Sequence, residues 1–218
     1  MHVGHFAAGM IARHFDTKIS LGTFILAAML ADFLWCVFML AGAEQVQFKT
    51  VPGAANYFEP LNIAWSHSLV MDVIWATLFA AAYFLWRRNT SAAGLLFVIV
   101  LSHWPLDVIA HRPDMPLAPV VESQFGLGLW TNIPATIIVE GGLWLLGVIL
   151  YIRTTKSKRR FGPYVFWGVV LLLTLLWYNN IAGPPPPDPR IAPLFSLVYF
   201  SLVVAWAYWM NRLRPARE

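Results

Sequence analysis

The chain has 218 residues, of which 59% are hydrophobic and only 12% charged, with a formal net charge of +4. So little polar surface excludes a soluble globule and leaves no length for a separate soluble domain. A single cysteine, Cys36, excludes an intrachain disulfide and a thiolate metal cluster, and no basic stripe interleaved with aromatics points to nucleic acid as a partner.

The opening MHVGHFAAGM lacks the basic n-region of a secretory signal and carries histidines where an h-region is apolar, so it is expected to be retained. Residues 1–15 are too short to span a bilayer. They read as a half-helix rising from an Arg13–Lys18 hairpin, tolerable in a membrane only where other helices shield its polar end. Six later segments, near 20–42, 64–86, 91–111, 131–152, 161–182 and 191–211, are each about 20 residues long, enough for a hydrocarbon core of roughly 30 Å. Arg87-Arg88-Asn89, the run RTTKSKRR at 153–160 and the stiff GPPPPDP at 183–189 mark breaks between them. Trp65, Trp86, Trp130, Trp177 and Trp209 lie near span ends, as aromatic belts do. The expected fold is an all-α integral membrane protein. One transmembrane domain over 1–218 forms a six-span helical bundle with a short N-terminal half-helix, its metal-site half at 1–152 and an additional helix pair at 161–211.

Orientation follows from the loops. Arg13 with Lys18, Arg87 with Arg88, the 153–160 cluster, and Arg212, Arg214 and Arg217 fall on one side if six spans alternate. The other side holds Lys49, Arg112 and Arg190 among Glu44, Glu59, Asp114, Glu122 and Asp188. That asymmetry places the basic loops and the C-terminus in the cytoplasm.

Against this apolar background the ionisable residues stand out. All six histidines lie in the first 111 residues, and His2, His5, His67 and His103 share that zone with Asp32, Asp72 and Asp107. Glu140 interrupts a later apolar run. Such groups are costly at bilayer depth and face a cavity, pair, or bind something. Counted from the basic markers at about 1.5 Å per residue, Asp32, Asp72, His103 and Glu140 lie at roughly 20–22 Å, with His67 and Asp107 near 28–30 Å. Convergence from five segments on one depth range points to one site. Imidazoles with carboxylates are the usual ligand set for zinc and related divalent ions.

Spacing adds detail. His103, Asp107 and His111 are four and eight apart, on one helical face, where an HxxxD pair presents a nitrogen and an oxygen to the same ion. Pro105 between them frees a carbonyl one turn earlier and is expected to bend the helix. His2 and His5, three apart, also share a face. The bland readings are equally physical. A lone membrane histidine can simply bond a neighbouring helix, Asp72 and His111 can cap or solvate, and His14 beside Arg13 reads as an interface residue. Gly141-Gly142 reads as a close helix approach. The many Trp, Phe and Met residues read as lipid-facing or packing.

Gly4-His5, Leu30-Ala31-Asp32, Ser66-His67-Ser68-Leu69 and Ser102-His103-Trp104-Pro105-Leu106-Asp107 together resemble, in order and over roughly residues 1–120, the family of small membrane-bound metal-dependent hydrolases, which includes LexA-regulated members of the bacterial inner membrane. The resemblance implies His5, Asp32, His67, His103 and Asp107 as the polar site. By ligand type alone the set is also similar to zinc-dependent phospholipase C and the P1-type nucleases, where a late Glu is a ligand, which adds Glu140. The chain departs from the family where Asp32 is followed by Phe33-Leu34-Trp35 instead of a second Asp-His pair, and where Asn62 to Trp65 precede Ser66-His67 without a His-Arg.

The expected function is hydrolysis of a membrane lipid or lipid-linked phosphoester from the outer-leaflet side. One or two divalent ions, zinc by ligand type, would be held by His5, Asp32, His67, His103, Asp107 and Glu140, with His2, Asp72 and His111 as further candidates. Asp32 or Glu140 would act as base, and Arg112 and Arg190 would hold an anionic headgroup. The rival readings are a proton- or metal-coupled transporter and a non-catalytic membrane assembly factor with a structural metal.

Overall fold

The computed structural model describes residues 1–121, 123–184, 188 and 190–217. Glu122, counted above among the outer-loop acids, and positions 185–187 and 189 of the proline-rich connector lie outside the described residues.

The chain begins with α1 (His2–Phe15), then α2 (Leu21–Ala28) and α3 (Leu30–Leu40). A hairpin of β1 (Gln45–Phe48) and β2 (Phe58–Asn62) leads into the short α4 (Ala64–His67) and the long α5 (Leu69–Arg87). Next come α6 (Thr90–Leu101) and α7 (His103–Ala110), a small hairpin of β3 (Met115–Pro116) and β4 (Gln124–Phe125), and a 3-10 turn at Leu129–Thr131. Then α8 (Ile133–Thr154), α9 (Gly162–Ala182) and α10 (Ala192–Leu213) complete the fold. Five helices, with α6 and α7 taken as one, are long and apolar enough to cross a membrane, and α2 with α3, bent by 55°, makes a sixth. The chain is mostly helical, and two short antiparallel hairpins are what the all-α expectation did not include. Both fall in connections between helices, where the edge-on rings of Phe48, Tyr57 and Phe58 supply a local apolar cluster.

Helix starts follow capping chemistry. Ser20 accepts from Thr23 N–H at 3.0 Å, Asn89 from Ala92 N–H at 3.0 Å and Asn132 from Ala135 N–H at 2.9 Å, each satisfying an amide that the first turn leaves without a partner. The interruption at Ser102 between α6 and α7 lies one turn before Pro105, whose missing N–H cannot reach Leu101.

The N-terminal half-helix is the centre of the packing. α1 lies along α8 and α2, and a Cβ on Gly147 of α8 would come within 2.9 Å of Ala7 Cα, so glycine is what allows the two backbones to approach. This close approach was expected at Gly141-Gly142. There, however, Gly141 meets only the Trp177 ring and Gly142 faces open space. One apolar core joins Phe6, Trp144, Phe166 and Trp206; a second joins Phe24, Ala76, Leu96 and Val100.

Alternation of the helices brings Phe15, Leu21, Arg87, Thr90, Thr154, Gly162 and Leu213 to one end. The basic residues concentrate here. Arg13 is buried and donates to the carbonyls of Thr17 and Ile19, closing the turn from α1 to α2. Arg217 Nε donates to Thr155 O at 3.0 Å, and His14 bonds Thr154 at 3.1 Å in an exposed position, as its interface reading expects. Trp65, Trp86 and Trp209 are exposed, as a belt requires, but Trp177 is only 6% exposed and faces the interior.

Candidate metal centre

The opposite end gathers His2, Leu40, Leu69, Ala110, Ile133 and Ala192, and here the polar residues meet. His103 and Asp107 stand one turn apart on α7, with His103 Nε2 3.1 Å from Asp107 Oδ2. His67 closes α4, which ends because Ser68 turns extended at φ −87, ψ 149. Its Nε2 lies 3.7 Å from Asp107 Oδ2 and 3.6 Å from Asp32 Oδ1. Asp32, in the first turn of α3 just past the bend at Met29, places Oδ1 4.0 Å from His103 Nε2.

The bend does more than redirect the chain. The last carbonyls of a helix lack intrahelical partners, and Ala28 O at the end of α2 accepts from His103 Nδ1 at 2.8 Å. A carbonyl only accepts, so His103 carries a proton on Nδ1 and turns Nε2 toward Asp32 and Asp107, the atom that the neutral ring would offer to a metal. Two carboxylates thus converge on the same edge of the His103 ring, an arrangement suited to a cation.

The donor set fits one. A tetrahedral shell on bonds of about 2.0–2.1 Å sets its donor atoms about 3.3–3.4 Å apart. Four separations among Asp32 Oδ1, His67 Nε2, His103 Nε2 and Asp107 Oδ2 run from 3.1 to 4.0 Å. Two ligand groups that could hold an ion, Asp32–His67–His103 and His5–His103–Asp107, share His103. In the second, His5 Nε2 is 2.9 Å from Asp107 Oδ1, and the His5 ring stacks on His103 with centroids 3.7 Å apart. The Met1 amino nitrogen also contacts Asp107 Oδ1 and lies 2.9 Å from His5 Nε2.

The remaining candidates lie outside both groups. Glu140, expected as ligand or base, is fully buried with one oxygen accepting the His2 amide at 3.0 Å and the other accepting Trp177 Nε1 at 2.7 Å. It caps the start of α1, which has no capping side chain of its own. His2 stacks on Tyr199 at 6.1 Å. Asp72 is buried with neither oxygen hydrogen-bonded among the described residues. His111 leaves the shared helical face because it ends α7 in an extended conformation, and it pairs with Asp114 at 2.9 Å against the Trp130 ring. Arg190 is exposed and paired with Asp188 at 2.8 Å, and Arg112 does not line the cavity beside the site.

That cavity has a volume of about 370 Å³. His5, Asp32, His67 and Asp107 border it, β2 and the hairpin turn close one side, and the first turns of α10 supply Phe195, Tyr199 and Phe200. Among the described lining residues there is no lysine or arginine; Asn56, Asn180 and Ser196 are the uncharged polar groups. The helix pair read as additional thus builds a wall of the site.

Sequence reasoning also missed Glu44, read as a loop charge. It is 1% exposed, and burial pushes its carboxyl above the ordinary glutamate value while hydrogen bonds from Ser66 pull the other way. Its signal was faint: an acid just after Gly42, itself just past the end of an apolar helix. Ala28, which acts through its backbone, leaves no side-chain signal at all.

No family model, curated protein or solved structure matches the chain.

Proposed function

We propose that the chain is a metal-dependent hydrolase embedded in the bacterial inner membrane, acting on a lipid or lipid-linked phosphoester reached from the outer leaflet. The observation that carries this reading is the meeting of two carboxylates and two imidazoles on the border of an aromatic-walled cavity. Large concave sites with a few convergent polar groups are where ligands bind. His67, His103 and Asp107 would hold one divalent ion, zinc by the nature of the donors, with His5 beside it. Such an ion supplies a Lewis acid that polarises a phosphoryl oxygen.

The chain's own residues do the rest. Asp32 has the most exposed side chain of the four, 22% against 7%, 2% and 3% for His67, His103 and Asp107. It faces the cavity and is placed to take the proton of an attacking water. The aromatic rings of α10 offer an apolar bed for a hydrocarbon chain, and Asn180 and Ser196 offer polar contacts for a headgroup. The five or six membrane-length helices, read with the basic end in the cytoplasm, support an outer-leaflet position for the cavity. The motif resemblance to membrane-bound metal-dependent hydrolases supports the same chemistry.

A second reading has one observation in its favour. Four protein ligands close a tetrahedral shell, as structural zinc sites do, whereas catalytic sites keep a position open. Detergent-purified protein and its Asp32→Asn variant separate the two. The hydrolase reading expects the variant to keep its zinc and lose turnover of a phosphatidic acid or polyprenyl phosphate. A variant that loses zinc and melts earlier, beside an inactive parent, overturns it in favour of an assembly factor with a structural metal.

A further inference from the structure

We propose that Glu44 is a positioning residue that, acting through Ser66, sets the tautomer of His67 so that its bare Nε2 faces Asp32 and Asp107. The proposal rests on the metal-centre reading for its purpose, though not for its hydrogen-bond geometry.

The placement starts with Gly42. α3 ends at Leu40, and Gly42 takes φ +75, the left-handed conformation glycine adopts without cost. Gly42 N–H then donates to Met39 O at 3.1 Å and Ala43 N–H to Phe38 O at 2.8 Å, the paired bonds of a Schellman end. The chain folds back over the helix end and delivers Glu44 to the interior beside α4. There one carboxylate oxygen accepts the Ser66 backbone N–H at 2.8 Å and the other accepts the Ser66 hydroxyl at 2.7 Å.

The direction of each bond fixes the next. A carboxylate has no proton to give, so the Ser66 hydroxyl hydrogen points to Glu44 at 2.7 Å, nearer than Ile63 O at 3.4 Å. Ser66 Oγ therefore presents a lone pair to His67 Nδ1, 2.7 Å away, and Nδ1 must carry the ring proton. In the neutral ring Nε2 is then bare, 3.6 Å from Asp32 and 3.7 Å from Asp107. In the other tautomer an N–H would point into the ligand group, donating to Asp32 and offering a metal nothing. Ligating histidines generally have their second nitrogen oriented in this way, and such outer partners change metal affinity about 10–100-fold. His103 gets the same service from the Ala28 carbonyl; His67 gets it from a loop carboxylate two residues past a glycine turn.

Glu44→Gln tests the idea because it reverses the relay at nearly constant shape. The Ser66 backbone N–H can only donate, so it claims the amide oxygen and leaves the amide NH2 facing Ser66 Oγ. The hydroxyl is then free to donate to His67 Nδ1, nearer at 2.7 Å than Ile63 O at 3.4 Å, which moves the ring proton to Nε2. Two measurements are made on detergent-purified protein: zinc affinity by competition with a chromophoric chelator, and the His67 tautomer by 15N spectra of the metal-free, histidine-labelled protein. The expected result is about 10–100-fold weaker zinc binding in Glu44→Gln with the proton moved to Nε2, and near-parental values for both in Ser66→Thr, which keeps the hydroxyl. Should Glu44→Gln fail to fold, Ser66→Ala, which interrupts the relay without touching the carboxylate, is read in its place for weakened zinc. Unchanged zinc affinity, or lost affinity with the proton still on Nδ1, overturns the proposal. A parent protein that binds no zinc overturns the metal-centre reading, and the tautomer measurement still decides this one.

Discussion

Trp177 on α9 donates its indole N–H to Glu140 on α8 across 2.7 Å, deep inside the helix assembly. With the other oxygen of the same carboxylate capping α1 through the His2 amide, one side chain joins three helices. Replacing it leaves two buried donors competing for fewer acceptors, at about 1–3 kcal/mol for each group left unpartnered. Glu140→Gln is expected to lower the unfolding midpoint and to leave the zinc stoichiometry of the folded protein unchanged. Lost zinc at unchanged stability would instead make Glu140 a ligand.

His103 is the residue both ligand groups share, and Asp107 beside it turns one oxygen toward His5 and the other toward His67 and His103. Asp107→Asn and His103→Ala should each drop elemental zinc from about one ion per chain to background, the stoichiometry of a single tetrahedral site. His14→Ala, at the far end, should not. Equal zinc in all three variants would end the metal reading.

Gly147 permits the approach of α8 to α1. Gly147→Leu forces the two backbones apart and is expected to cost about 1–3 kcal/mol by overpacking. Cys36 is fully buried, which gives a readout: its labelling by a maleimide should speed up in the variant. A labelling rate equal to the parent's would mean that α1 tolerates displacement.

The cavity makes a separate demand. Ser196 lines it from α10, away from the ligand groups, so Ser196→Trp fills space without touching the centre. Turnover of a long-chain phosphoester should fall at least tenfold, about 1.4 kcal/mol in transition-state binding, with zinc content intact. Unimpaired turnover would show that substrate does not enter by this cavity.

Much of this was legible in the chain because apolar runs are long and breakers are strong. Arg87-Arg88-Asn89 ends α5 and starts α6 as expected, since Asn89 is a cap and helix α5 runs out at a left-handed Arg88. His103 and Asp107 were readable because four-residue spacing places them on one face. What was not legible depends on backbone geometry and on partners distant in sequence. Asp32, the least buried of the quartet, reaches the others only because the helix bends by 55° at Met29, where no proline or glycine marks a kink. Glu140 looked like a ligand because any buried carboxylate does; its true partners, a main-chain amide 138 residues away and the Trp177 indole, carry no local pattern. Arg190 looked free until Asp188, two residues earlier, proved to hold it.

The capping of α1 from a distance has a consequence for how the protein is made. The first amide of α1 meets its acceptor on α8, more than 120 residues later in the chain, and the Trp177 that steadies that acceptor comes later still. In a bilayer an uncapped helix end has no water to turn to. Without α8, α1 lacks the acceptor that caps its first amide. Its capped form needs both α8 and α9. Seating of α1 also brings His5 to the ligand cluster, so the centre is complete only when the fold is.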